Sequence, residues 1–218
     1  MEIAWLGHSC FRIRGRASGR SSGPETAIVT DPCPPTSGYN INKPTASIIT
    51  ISHSHDNHSF VKGVPGSPRI IDSPGEYEID GIFFTAIRTY HDDDKGNSLG
   101  NNLIFLIEVE DVTLCHLGDI GHSITSAQAE YLTDTDILFV PVGGNSTIDG
   151  NQASGIVRAI EPKLVIPMHY KTPDSKDDLD SLDHFLKELG QKPSETQSKL
   201  SISRSNLPEE TQLVSLDY

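Results

Sequence analysis

Apolar positions fall in short runs broken by Gly, Pro, Asn and Asp, and only the second half of the chain carries clear helical spacing. EIAWL, CFRIR, AIVTD, SIITIS, RIID, IFFTAIRTY, NLIFLIEV, VTLCHL, DILFVPV and KLVIPM read as strands, being rich in β-branched and aromatic residues and bounded by turn formers. Several of them end directly on a histidine or an aspartate. RGRASGRSSGPE, made of Gly, Ser and charge, reads as a flexible hairpin tip, and the tail adds two short strands, LSISR and QLVSLD.

Three helices are legible. Thr125 to Leu132 opens on a Thr-x-x-Gln capping pattern. Asn151 to Ile160 places Ala153, Ile156, Val157 and Ile160 on one face. Asp177 to Leu189 spaces Leu179, Leu182, Leu186 and Leu189 along one side, puts acidic residues in its first turn and stops at Gly190. A single domain over residues 1–218 is the expectation for a chain of this length.

Charge and cysteine usage narrow the function classes. Seventeen basic residues against thirty acidic ones give a formal charge of -13, which repels phosphodiester backbones and favours a small-molecule substrate over a nucleic acid. Cys10, Cys33 and Cys115 share no CxxC spacing, so neither a disulfide framework nor a thiolate metal site is suggested. With no signal-like N-terminus and no run long enough to cross a bilayer, the expectation is a soluble cytoplasmic protein without a membrane partner. Homo-oligomerisation is left open by the sequence.

The chemistry gathers in HSHDNH, residues 53–58, directly after SIITIS. His53 and His55 are two apart, so an extended strand end points both to one face, and His58 reaches round from the following turn. A catalytic zinc takes about three protein ligands and an open position, so distant partners are needed. His91 after IFFTAIRTY, Asp119 in LCHLGD and His169 in VIPMH each terminate an apolar strand. One such histidine would be an ordinary solvated turn residue; several together point to a metal.

In that order and spacing, HSHDNH, His91, CHLGD and IPMH resemble the five metal motifs of the metallo-β-lactamase superfamily. WLGHSCFRI, IVTDPC, GEYEIDGIFF, CHLGDIGH, FVPVGG and VIPMHYKT are similar to its branch of zinc-dependent hydrolases related to the ascorbate-6-phosphate lactonase-like proteins. The likeness runs from about Ile3 to Thr172. It implies an α/β fold, a four-layer αβ/βα sandwich with metals at one edge of two facing sheets. It implies His53, His55 and His91 at a first metal, a bridging Asp119, and His58 and His169 at a second, with Asp119 and His169 as catalytic residues.

One position departs from the family pattern H-x-H-x-D-H. Asn57 stands where an aspartate is usual, as a weak or absent ligand, because its amide offers only a neutral carbonyl oxygen. Asp56 is one position early, and on an extended segment it would face the other way. The expectation is a weakened second site, with one or two zinc ions, or manganese, iron or nickel by ligand type. The three imidazoles of the first site suffice for a metal-held hydroxide that attacks a small-molecule ester, lactone, amide or phosphoester. A non-catalytic metal-binding or regulatory relative is the alternative, and a metal-dependent nuclease a weaker one.

Other residues carry lesser expectations. His8 in LGHSC and Asp31 in VTDPC match polar positions that in the resembled family lie close to the metals, which implies a role in orienting metal ligands, and His116, three residues before Asp119, is a candidate to line the pocket. Tyr170 and Lys171, just past His169, are candidates for touching a substrate anion. The acidic run Asp92, Asp93 and Asp94 reads as a solvated loop, Cys115 as a small buried residue, and Gly143 and Gly144 as a tight turn.

Overall fold

A computed structural model describes residues 1–20, 22–192 and 195–218. Among these described residues the chain forms thirteen strands: β1 (Glu2–Trp5), β2 (Phe11–Gly15), β3 (Thr26–Thr30), β4 (Ile48–Thr50), β5 (Arg69–Ile71), β6 (Gly75–Ile79), β7 (Ile82–Tyr90), β8 (Asn101–Val109), β9 (Val112–His116), β10 (Ile137–Pro141), β11 (Leu164–Met168), β12 (Leu200–Ser201) and β13 (Gln212–Leu213). Among the described residues three α-helices accompany them: α1 (Ser126–Tyr131), α2 (Gly150–Ile160) and α3 (Leu182–Leu189). The first sheet runs β12-β1-β2-β3-β4-β5 and the second β13-β11-β10-β9-β8-β7-β6.

Alternation along the strands decides what each face covers. Ile28 and Ile48 join the main core between the sheets, while their neighbours Val29 and Ile49 pack into a smaller cluster with Cys33, Tyr39 and Ile41. That smaller cluster lies under loops and short 3-10 turns at Pro35–Ser37 and Val61–Gly63, so the expected α layer on the first sheet is reduced to irregular chain. Beyond the second sheet α2 packs on α3 and β10. The buried face of α2 carries Ala153, Ile156, Val157 and Ile160, the residues its spacing predicts.

Capping matches the sequence for α1 and α2. Thr125 and Asp149 each accept the backbone N–H three residues on, and Gln128 and Gln152 return the bond. The third helix is shorter than expected. Residues 177–181 stay outside it because their backbone groups are bonded elsewhere: Asp180 N–H donates to Gly143 C=O and Asp180 C=O accepts from Lys171 N–H. The expected hairpin tip joins β2 to β3 as an antiparallel pair; within it, residue 21 lies outside the described residues.

Strand β6, GEYEI, is absent from the sequence expectation because charge interrupts its apolar positions. It is an edge strand, where Glu76 and Glu78 face solvent. The signal that finds it is Asp80-Gly81, both in left-handed backbone, the two-residue turn that pairs β6 with β7.

Topology places the site. β1, β3 and β4 run in one direction in the first sheet, as do β7, β9, β10 and β11 in the second. The residues just past their C-terminal ends, His8, Asp31, His53, His91, Asp119, Gly143 and His169, therefore collect at one edge of the sandwich. Among the described residues no helix is long and apolar enough to cross a membrane.

Candidate metal centre

Four imidazoles converge on one oxygen. Asp119 Oδ2 lies 3.1 Å from His58 Nε2, 3.3 Å from His169 Nε2, 3.5 Å from His91 Nε2 and 4.0 Å from His53 Nε2. All five side chains are nearly inaccessible, so the cluster has lost the water that would otherwise solvate its lone pairs. His55, which is exposed, joins His53 and His91 in a group whose ligand atoms lie within 4.8 Å of one another, and His58, His169 and His8 form a second such group.

The backbone holding Asp119 is built for close approach. Asp119 N–H donates to Asn102 Oδ1 at 2.9 Å, and the Asn102 amide donates to Thr89 Oγ1 and Leu117 C=O. Gly118, at φ +57, lets this turn pass against Asn102 and Ser52: a Cβ there would stand 2.4 Å from Asn102 Oδ1. Ser9 Oγ donates to the other Asp119 oxygen at 3.3 Å.

Asp31 governs two histidines at once. Its carboxylate accepts from Ser52 N–H at 2.8 Å, Ser52 Oγ at 2.5 Å and His58 Nδ1 at 2.9 Å. Because the Ser52 hydroxyl proton goes to Asp31, Ser52 Oγ accepts from His53 Nδ1–H at 2.9 Å, which leaves His53 Nε2 as a free lone pair. That nitrogen is buried and has no partner, as do His91 Nδ1, His169 Nδ1 and His8 Nδ1. Asp31, His8 and His169 all adopt left-handed backbone, φ +39, +54 and +51, so the sparsely populated conformations cluster where the ligands are.

Electrostatics follow the same geometry. Burial, then the charge of His58, drops the His53 pKa to about 3; burial, then His169, drops His8 to about 4. Burial opposes a charged His58, but the Asp119 carboxylate beside it and Asp31 behind it raise its pKa to about 10. Burial also opposes ionisation of Asp119, and His169 and His58 override it, holding the carboxyl well below its ordinary range.

The cluster opens into a cleft of about 480 Å³ lined by His8, His55, Asp56, Asn57, His91 and His169 together with Asn145, Ser146, Asp177 and Leu179. Asp56 and Asn57 reach its wall. The segment carrying them is a series of bends and turns, since β4 ends at Thr50, rather than the extended strand end the spacing suggested.

Three sequence expectations change. His116 is withdrawn from the pocket: its Nε2–H donates to Ser9 C=O at 2.9 Å and its Nδ1 accepts from Gly118 N–H at 3.2 Å, so both nitrogens serve to fix the chain around Asp119. Tyr170 turns away from the pocket and packs its ring 5.2 Å from Trp5, in an aromatic group with Tyr39 and Tyr218. Lys171 commits its ammonium to Asp177 C=O at 2.8 Å, tying down the loop that carries Asp177. The acidic loop is half structural: Asp92 accepts from the N–H groups of Asp94, Gly96, Ser98 and Leu99, while Asp93 and Asp94 are left to solvent or its margin.

Ser9, Ser52, Asn145, Ser146, Asp177 and Leu179 escape the sequence reading. Ser52 was findable as the residue before the first histidine of the hexad, with a hydroxyl in reach of whatever follows β4. The others are brought in only by folding. Gly143 shows why its neighbourhood is glycine: a Cβ would lie 2.2 Å from His169 C=O.

A β-lactamase superfamily domain model matches residues 2–169, a span that contains every one of the converging residues. The chain belongs to the metallo-β-lactamase superfamily. A solved Thermotoga maritima protein of this superfamily, designated a candidate zinc-dependent hydrolase, is similar over 99% of this chain and 97% of its own, at 35% identity and a TM-score of 0.77. A UPF0173 metal-dependent hydrolase of Pyrococcus horikoshii is 32% identical over 201 residues, covering 79% of this chain and 85% of the relative. A UPF0173 protein of Pyrococcus furiosus is 29% identical over 212 residues, covering 87% and 90%. This chain sets imidazoles around one carboxylate at a sheet edge, and the donor set suits a divalent cation: buried ring nitrogens of His8, His53, His91 and His169 otherwise lack partners.

Proposed function

We propose that this metal-dependent hydrolase of the metallo-β-lactamase superfamily acts on a small molecule carrying an ester, lactone, amide or phosphoester. The observation that supports the reading best is Asp119 Oδ2 within 4.0 Å of four imidazole nitrogens, inside a cleft of small-ligand size. His53, His55 and His91 would hold one cation, His58 and His169 would belong to a second, and Asp119 would lie between the two. Zinc fits such imidazole-rich sets, and manganese, iron or nickel fit by ligand type. A divalent cation held there supplies Lewis acidity and acidifies water.

The chain's own residues do the rest. Asp31 and Ser52 fix the tautomers of His53 and His58 so that their Nε2 atoms face Asp119. Asp119 Oδ2 is the acceptor placed to orient an attacking water, with Ser9 and Asn102 holding the carboxylate and its backbone in place. His169, whose Nε2 lies 3.3 Å from Asp119 Oδ2, would serve at the second cation through that nitrogen, with no proton there to transfer. Asn145 and Ser146 offer polar contacts in the cleft and Leu179 an apolar one. The formal charge of -13 favours neutral or cationic small molecules over polynucleotides. Three free, buried cysteines are in keeping with a cytoplasmic setting.

The test is turnover by protein loaded in turn with zinc, manganese, iron and nickel, on a chromogenic ester, a lactone, a β-lactam and a phosphodiester. Expected is metal-dependent hydrolysis of at least one class, abolished by chelation and reduced at least about 100-fold in kcat by Asp119→Asn. Metal bound tightly with no turnover on any class would replace the hydrolase with a metal-binding regulatory protein.

A further inference from the structure

Asn57 leaves the family's second metal position short of a carboxylate, yet the structure brings other donors to the same place. One ring nitrogen each of His8, His58 and His169 lies within 4.8 Å of the other two, a grouping distinct from His53, His55 and His91. His8 is 3% exposed, and its ring stands edge-on to His169 at 4.3 Å and to His58 at 4.8 Å. Its Nδ1 is buried without a partner, while its Nε2 lies 3.2 Å from Asp177 Oδ2.

We infer that His8, held by Asp177, completes the second metal position in this chain in place of the carboxylate missing at Asn57. The inference rests on the metal-dependent reading above and names the residues that reading lacks.

Three features converge on it. First, His8 is kept in left-handed backbone by two donors on one oxygen: Trp5 Nε1–H at 2.9 Å and His169 N–H at 3.2 Å both bond to His8 C=O. The second of these bonds ties the backbones of two candidate ligands directly to each other. A strained conformation fixed at this point sets the ring beside His58 and His169.

Second, Asp177 is delivered by a segment that gives up helix to reach the cleft. Its carbonyl accepts from Lys171 Nζ at 2.8 Å and Ser175 Oγ at 3.4 Å, and Asp180 N–H is tied to Gly143 C=O. A carboxylate on one nitrogen of an imidazole fixes the tautomer and raises the basicity of the other, the arrangement that Asp31 already provides for His58.

Third, charge is restored. A neutral imidazole in place of a carboxylate leaves a dication under-compensated, and Asp177 returns one negative charge to that side of the cleft. Asn57 stays on the cleft wall, where its amide remains available to a substrate.

Elemental analysis of metal per chain tests this, on protein reconstituted in excess zinc and desalted. Wild type is expected to hold about two ions, His8→Gln about one, and Asp177→Asn about two with the weaker ion bound about 10- to 100-fold less tightly in a chelator competition. Adding Asn57→Asp to His8→Gln is expected to return the second ion, a gain that a misfolded variant would not show. Circular dichroism of the metal-free variants checks the fold. One ion in wild type, two in His8→Gln, or no rescue in a folded double variant would overturn the inference and leave the hydrolase reading standing. No ion in wild type under excess metal would overturn both.

Discussion

At Asp31 three donors meet one buried carboxylate, and two of them decide which nitrogen of His53 and His58 faces the cluster. Asp31→Asn keeps the shape and removes the charge, so it is expected to weaken metal binding about 10- to 100-fold, read by competition with a chromophoric chelator. The cysteines give a second prediction at this scale. Burial pushes the thiol of Cys33 up to about 11 and that of Cys115 up to about 12. Since the folded values lie above the ordinary 9.0, the native state holds these protons longer, so their stabilising effect is complete below pH 9 and is lost as pH rises towards 12. Urea midpoints are expected to fall between pH 8 and pH 10.5, and Ellman's reagent at pH 8 to find no reactive thiol until the chain unfolds.

Among the elements, the turns after the strands carry more of the site than the strands do. Gly118→Ala would force a Cβ to 2.4 Å from Asn102 Oδ1 in left-handed backbone, and is expected to cost on the order of 2 kcal/mol in urea unfolding and to displace Asp119. On the helical side Asp149→Ala removes the cap of α2 and is expected to cost about 1 kcal/mol without changing metal content. The contrast separates damage to the fold from damage to the centre.

Over the whole molecule the candidate ligands come from both sheets: His8, His53, His55 and His58 follow strands of the first, and His91, Asp119 and His169 follow strands of the second. A cation held by both sets ties the sandwich together at its open edge. At free metal about 1,000-fold above Kd the linkage amounts to about 4 kcal/mol. Removing metal with a chelator is thus expected to lower Tm by roughly 10 °C for a chain of this size, reversed by adding metal back, and calorimetry checks it.

The sequence by itself determined a strand-rich chain, because its short apolar runs are broken by turn formers, while the two facing sheets entered only through the resemblance to the metallo-β-lactamase superfamily. It also determined α1 and α2, whose caps are written in three-residue spacings. Local order also made the hexad and the three strand-end partners legible, since a residue following an apolar strand is carried to the sheet edge whatever the rest of the chain does. Only the tertiary structure decided the remainder. His116 and Tyr170 have the same local signature as true pocket residues, and only their partners, Ser9 and Gly118 for one and Trp5 for the other, remove them. Asp177 looked like the first turn of a helix until long-range backbone bonds to Gly143 and Lys171 proved stronger claimants on that segment. Helix propensity is worth tenths of a kcal/mol per residue, whereas each buried backbone group must find a partner, so the distant bonds prevail.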